Sequence, residues 1–209
     1  MNKQFGCMET GPNSSNSVIL LAHGAGAAMD TPFMNTIAIG LADAGLRVVR
    51  FEFPYMMKRR TSGKRAGPGR ASAQTGYFLR IIEDIGIPER LIIGGKSFGG
   101  RVASMVADEA GVAGLICLGY PFHPPGNRSK PRTEHLEALA TPGLFLQGER
   151  DTFGNRLEVG EYKLSPSISI VYLEDGDHSF KPRKGSGKTL DEHMGRAIDE
   201  VARFAREIV

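Results

Sequence analysis

Six short runs centred on apolar residues, spaced by longer stretches of helical periodicity, constrain this chain more than any other feature. The runs are Val18–Ala22, Arg47–Phe53, Leu91–Ile93, Ala113–Leu118, Leu144–Leu146 and Ile168–Leu173. A strand with one wet face alternates apolar and polar residues, whereas continuous apolar runs require both faces to be covered. Between the runs the spacing predicts helices over Pro32–Ala44, Ala71–Asp84, Phe98–Glu109, Arg156–Lys163 and Leu190–Val209. The last of these carries Met194, Ile198, Val201 and Phe204 on one face. Strand and helix in alternation predict an α/β fold, with a mostly parallel central sheet of about six or seven strands and helices on both faces. With 209 residues the chain fits one domain. We expect residues 17–209 to form it and residues 1–16 to be a flexible lead-in.

Several function classes are disfavoured at once. A net charge of +3 is too small to imply a nucleic-acid partner. Only two cysteines, Cys7 and Cys117, are present, which gives no disulfide framework and suits a reducing compartment. No apolar run is long enough to span a membrane, and residues 1–17 hold no apolar stretch of signal-peptide length, so a cytoplasmic protein is expected. The histidines at 23, 123, 135, 178 and 193 lack metal-ligand spacing, and no cofactor or metal is called for.

The third run leads into Gly95-Lys96-Ser97-Phe98-Gly99, a G-x-S-x-G string between a strand and a helix. That setting is what a nucleophilic serine needs, because a sharp turn must push its hydroxyl out at the sheet edge. A serine is a poor nucleophile until a base removes its proton, and histidine titrates near neutrality. Such sites order their residues along the chain as serine, acid, histidine. Asp151 follows the fifth run and His178 follows the sixth, so both lie at carboxyl ends of strands, where active groups of open α/β sheets collect. Glu149, Asp175 and Asp177 are rival acids. His23-Gly24-Ala25-Gly26 follows the first run and offers the Ala25 N–H, with that of Phe98, as an oxyanion hole. His23, Tyr55, Phe122, His123 and Phe153 stand near the same strand ends as candidate substrate contacts.

On these phrases the chain resembles the α/β-hydrolase superfamily, in particular its small lidless members related to dienelactone hydrolase and, among those, a branch of predicted hydrolases. The resemblance also rests on Phe53-Pro54-Tyr55-Met56, Gly119-Tyr120-Pro121-Phe122-His123-Pro124-Pro125-Gly126, Gln147-Gly148-Glu149-Arg150-Asp151 and Asp175-Gly176-Asp177-His178. It covers residues 17–209. It implies a serine hydrolase with no sizeable lid, cleaving a small soluble ester or thioester through an acyl-enzyme. Dienelactone hydrolase itself has cysteine where this chain has Ser97, so lactone specificity does not carry over. A similar domain serves as a scaffold in eukaryotic chromatin-complex subunits, which keeps a catalytically silent reading open.

Two further segments matter. Lys58, Arg59, Arg60, Lys64, Arg65 and Arg70 make residues 58–70 a basic loop, either solvated or a clamp for an anion. Nucleic acid is a poor fit there, since no aromatic residues interleave with the charges. Gly185-Ser186-Gly187-Lys188-Thr189 imitates a phosphate-binding loop, but Pro182 stands where the leading glycine belongs. Thr189 and Glu192 instead read as a capping box.

Overall fold

The apolar runs assemble into one seven-stranded sheet in the computed structural model, which describes residues 6–64 and 66–209. The strands are β1 (Met8–Thr10), β2 (Val18–Ala22), β3 (Arg47–Phe51), β4 (Leu91–Lys96), β5 (Gly114–Leu118), β6 (Gly143–Gly148) and β7 (Ile168–Leu173). Their order across the sheet is β1-β3-β2-β4-β5-β6-β7. All neighbours run parallel except β1, which lies antiparallel to β3 with Met8 opposite Arg50 and Thr10 opposite Val48. β1 falls inside the segment expected to be a flexible lead-in. It has no apolar pattern to announce it; it forms because the edge of β3 offers unpaired backbone groups. The ion pair between Glu9 and Arg47, at 2.6 Å, fastens it there.

Successive strand residues point to opposite faces, and here both faces are buried. Val18, Leu20 and Ala22 join one core with Phe51, Ile93, Leu115 and Cys117, whereas Ile19 and Leu21 join the other with Ile92, Ile116 and Leu146. This is why the strands read as continuous apolar runs. The second core is closed by α1 (Pro32–Asp43) and α7 (Leu190–Ile208), which contributes Met194, Ala197, Val201, Ala202 and Ala205. Thr189 caps α7 reciprocally with Glu192, as the sequence predicts. Gly185–Thr189 is a short approach to that helix, with a 3-10 turn at Lys184–Ser186.

The remaining helices correct several expectations. Residues 54–62, partly read as the basic loop, form α2 (Pro54–Ser62), started by Pro54 and stopped by Gly63 in the left-handed region. Proline just inside a helix start and glycine just past its end were both legible, but the polar run hid the helix. Arg65 lies outside the described residues. The helix expected from Ala71 is a 3-10 turn followed by α3 (Thr75–Ile85). That expected over Phe98–Glu109 is broken into α4 (Phe98–Ser104) and α5 (Ala107–Ala110). The helix from Arg156 is a single turn, α6 (Arg156–Val159).

Between β5 and β6 the chain makes only a 3-10 turn at Glu134–Leu136, which plugs the first core with Leu136 and Leu139. No α-helix among the described residues connects these two strands, and no large lid stands over the sheet. No described helix is long and apolar enough to cross a membrane.

Candidate active site

The chain steps from β2 to β3 on one side and then returns to place β4 on the other side of β2. The crevice beyond the carboxyl ends of β2 and β4 is thus the switch point of the sheet. Ser97 and the His23–Gly26 loop both sit there, one directly after β4 and the other directly after β2.

Ser97 has φ 51° and ψ −111°, a left-handed conformation costly for a side chain other than glycine. Glycines make the turn possible by close approach. A Cβ on Gly95 would stand 2.3 Å from the Ala22 carbonyl oxygen, and one on Gly99 2.5 Å from the same atom. The turn aims Ser97 Oγ at His178, 2.9 Å from Nε2. His178 Nδ1 lies 2.7 Å from Asp151 Oδ2. A carboxylate can only accept here, so Nδ1 carries the hydrogen and Nε2 is free to accept from the serine. Burial pushes the His178 pKa down; the hydrogen bond to Asp151 opposes that shift, and the Lys96 charge adds to it.

Asp151 is fully buried. Its Oδ1 accepts the Phe153 N–H at 2.8 Å and its Oδ2 accepts from Gln147 Nε2 at 2.9 Å. The rival acids are engaged elsewhere. Asp175 pairs with Arg183 and Arg150, and Arg183 holds its carboxyl down at about 2. Asp177 accepts the Ser179 and Lys181 N–H groups, fixing the turn that carries His178. Glu149 accepts the Asp175 N–H and pairs with Arg156.

The loop after β2 is tied back by its carbonyls. His23 Nε2 accepts the Phe53 N–H at 3.1 Å, which leaves Nδ1–H to donate to the Gly24 carbonyl at 2.7 Å. Burial keeps this ring below the usual histidine pKa. Tyr55 Oη donates toward the Gly24 and Ala25 carbonyls, and Arg59 Nη1 donates to that of Gly26 at 3.1 Å. The Gly24–Ala25 peptide is trans, so its carbonyl and N–H point in opposite directions. Ala25, Ser97 and Phe98 all border one cleft.

Among the candidate substrate contacts, only Phe153 lines that cleft, its ring 4.3 Å from the His178 ring. His23 and Tyr55 brace the loop instead. Phe122 is buried in the core against Tyr120 and Phe145. His123 is buried too, held by the Pro124 carbonyl and Glu158. Their positions past a strand end were legible, but the chain turns both side chains inward there. Within the basic loop, Arg60 is committed to Glu52 and Asp30 and Arg59 to the Gly26 carbonyl, whereas Arg70 lines the cleft.

Two residues of the site escaped the sequence reading. Lys96, a variable position of the motif, donates from Nζ to the His178 carbonyl at 2.5 Å and lies over the Phe33 and Phe180 rings. Burial lowers its pKa to about 8, against the pull of Asp151 and Asp177. Gln147, fully buried, bridges Tyr120, Gly154 and Asp151. A polar residue inside an apolar strand end was the available signal.

A model of the alpha/beta hydrolase domain family matches residues 15–206. The chain belongs to that family. Among solved structures it is similar to Est1E from Butyrivibrio proteoclasticus with ferulic acid bound, at 13% identity and a TM-score of 0.70, covering 97% of this chain and 94% of that one. It is also similar to XC6422 from Xanthomonas campestris, described as a serine hydrolase without lid, at 20% identity and a TM-score of 0.66, covering 95% and 88%. Dienelactone hydrolase from Anabaena variabilis matches at 21% identity and a TM-score of 0.65, covering 97% and 89%. At these identities the likeness concerns the fold.

Proposed function

We propose that this alpha/beta hydrolase family member is a serine hydrolase that cleaves small carboxylic esters or thioesters, with Ser97 as nucleophile, His178 as base and Asp151 as its orienting acid. The observation that carries the reading is the continuous hydrogen-bonded line from Ser97 Oγ through His178 to buried Asp151. Ser97 Oγ attacks the carbonyl carbon while its proton passes to His178 Nε2. The Ala25 and Phe98 N–H groups take up the charge on the carbonyl oxygen; losing one such donor typically costs ~2.7–4 kcal/mol of barrier. Collapse expels the alkoxide or thiolate, which takes the proton from Nε2 and leaves an acyl-serine. Water, deprotonated by the same histidine, then releases the acid and restores Ser97. A scaffold would gain nothing from a serine held at positive φ, a strain of roughly 1–3 kcal/mol. The expected setting is the cytoplasm, given the sparing use of cysteine.

Labelling with a fluorophosphonate probe tests this. The wild type should be labelled and should hydrolyse an activated short ester with a burst, and Ser97→Ala should do neither while unfolding at an unchanged temperature. Labelling that persists in Ser97→Ala would sink the assignment.

A further inference from the structure

The cleft beside Ser97 is lined by three arginines and no carboxylate. Arg70, Arg101 and Arg132 border it with Ser97, Phe98 and Phe153, around a volume of about 530 Å³. Arg101 is four residues beyond Ser97, so it rises from the same face of α4 one turn on, about 6 Å along the axis. Its Nε is buried without a hydrogen-bond partner. Arg132 is half-buried, and burial together with the neighbouring Arg101 charge holds its pKa below the usual arginine value. The same two causes, burial first, lower the pKa of His135 behind them. Glu134 borders the adjoining groove with Arg101 and Arg132. Among the described residues none of the three arginines makes an ion pair, whereas Arg60, Arg150 and Arg183 all do.

Two partly desolvated like charges that line one cleft without an ion pair are costly, and the cost is recovered when an anion sits between them. Guanidinium groups suit planar or tetrahedral oxyanions, which they grip bidentately. We infer that the substrate of this site carries an anionic group, a carboxylate or a phosphate, a few bonds from its ester carbonyl, which Arg101 and Arg132 grip with Arg70 at the rim. The inference rests on the serine-hydrolase reading and names the substrate class. It narrows the anion clamp of the basic loop to Arg70 and joins it with Arg101 on α4 and Arg132 on the segment after β5.

Two esters of equal acyl length test it, monoethyl succinate and ethyl butyrate, followed by pH-stat. The wild type should prefer the succinyl ester in kcat/KM. Arg101→Gln and Arg132→Gln should each cut the succinyl-to-butyryl ratio at least ~10-fold, with Arg132→Lys in between because it keeps the charge and loses the fork. An equal ratio in wild type and variants overturns the inference. Ser97→Ala titrated calorimetrically with succinate and with inorganic phosphate reads the anion site without turnover and tells the two anions apart. Binding of either that is lost on adding Arg132→Gln supports the site, and binding of neither overturns it. Succinate binding without hydrolysis of either ester would retain the anion site and sink the hydrolase reading. Butyrate hydrolysis without anion binding would do the reverse.

Discussion

Gln147→Leu should be among the most damaging single changes outside the Ser97–His178–Asp151 line, and its cost can be worked from the contacts. The Gln147 amide lies wholly inside the protein. Its oxygen accepts the Tyr120 N–H at 2.8 Å, and its nitrogen donates to the Gly154 carbonyl and Asp151 Oδ2, both at 2.9 Å. Leucine keeps the volume and satisfies none of these. A buried polar group left without its partner costs roughly 1–3 kcal/mol, and more when charged. Tyr120 and Gly154 together then contribute about 2–4 kcal/mol, and the Asp151 carboxylate, which keeps its bonds to Phe153 and His178, adds about 1. A loss of about 3–5 kcal/mol is a large share of the 5–15 kcal/mol typical of a whole domain. Equilibrium urea unfolding followed by circular dichroism reads it directly. With an m-value of about 2 kcal/mol/M, the midpoint should fall by roughly 1.5–2.5 M. Ester kcat should fall as well, because Asp151 loses one of the donors that fix its orientation toward His178. A midpoint shift under ~0.5 M, equivalent to about 1 kcal/mol, would refute the accounting and mean that the pocket around Gln147 relaxes or admits water.

Asp151→Asn should lower kcat on the order of 10⁴-fold by disturbing the histidine tautomer. Asp177→Asn and Asp175→Asn should act mainly on stability, and a larger kcat loss in either would move the acid away from Asp151. Because burial lowers the His178 pKa, the acid limb of kcat/KM should lie below the usual histidine value of ~6.5. Lys96⁺ disfavours the imidazolium, so Lys96→Met should raise the His178 pKa and move that limb to higher pH; a limb that stays or moves down contradicts this. With no large lid among the described residues to wall the cleft, a longer acyl chain buries little more surface, although each buried CH₂ is worth roughly 0.8 kcal/mol. A nitrophenyl ester series from acetate to palmitate should therefore favour the short members without interfacial activation, and a steep rise toward palmitate would expose an acyl pocket not seen here.

Much of the site could be read along the chain because its parts are tied to element ends. Ser97 sits in a motif whose glycines answer to backbone contacts within a few ångströms of Ala22. Asp151 and His178 follow strands in the order such sites use, and the structure brings them to hydrogen-bonding distance. The misread contacts share one cause. Phe122 and His123 stand at the right place along the chain, but which way a side chain points after a strand end depends on what packs there. For Phe122 it is Tyr120 and Phe145, and for His123 it is Glu158.

Local rules governed what the sequence alone determined: two-sided burial of the strands, the alternation that makes the sheet parallel, the capping of α7 by Thr189 and Glu192, and the elbow at Ser97. Each depends on residues near one another along the chain, or on a pattern every strand repeats. Only the tertiary structure decided the rest. It paired β1 with β3, committed Arg59 and Arg60 to internal partners, set the half-buried Lys96 against the His178 carbonyl, and brought Arg101 and Arg132 to the lining of one cleft. These depend on groups far apart in the chain, and their charges acquire meaning only when burial removes the water that would otherwise screen them.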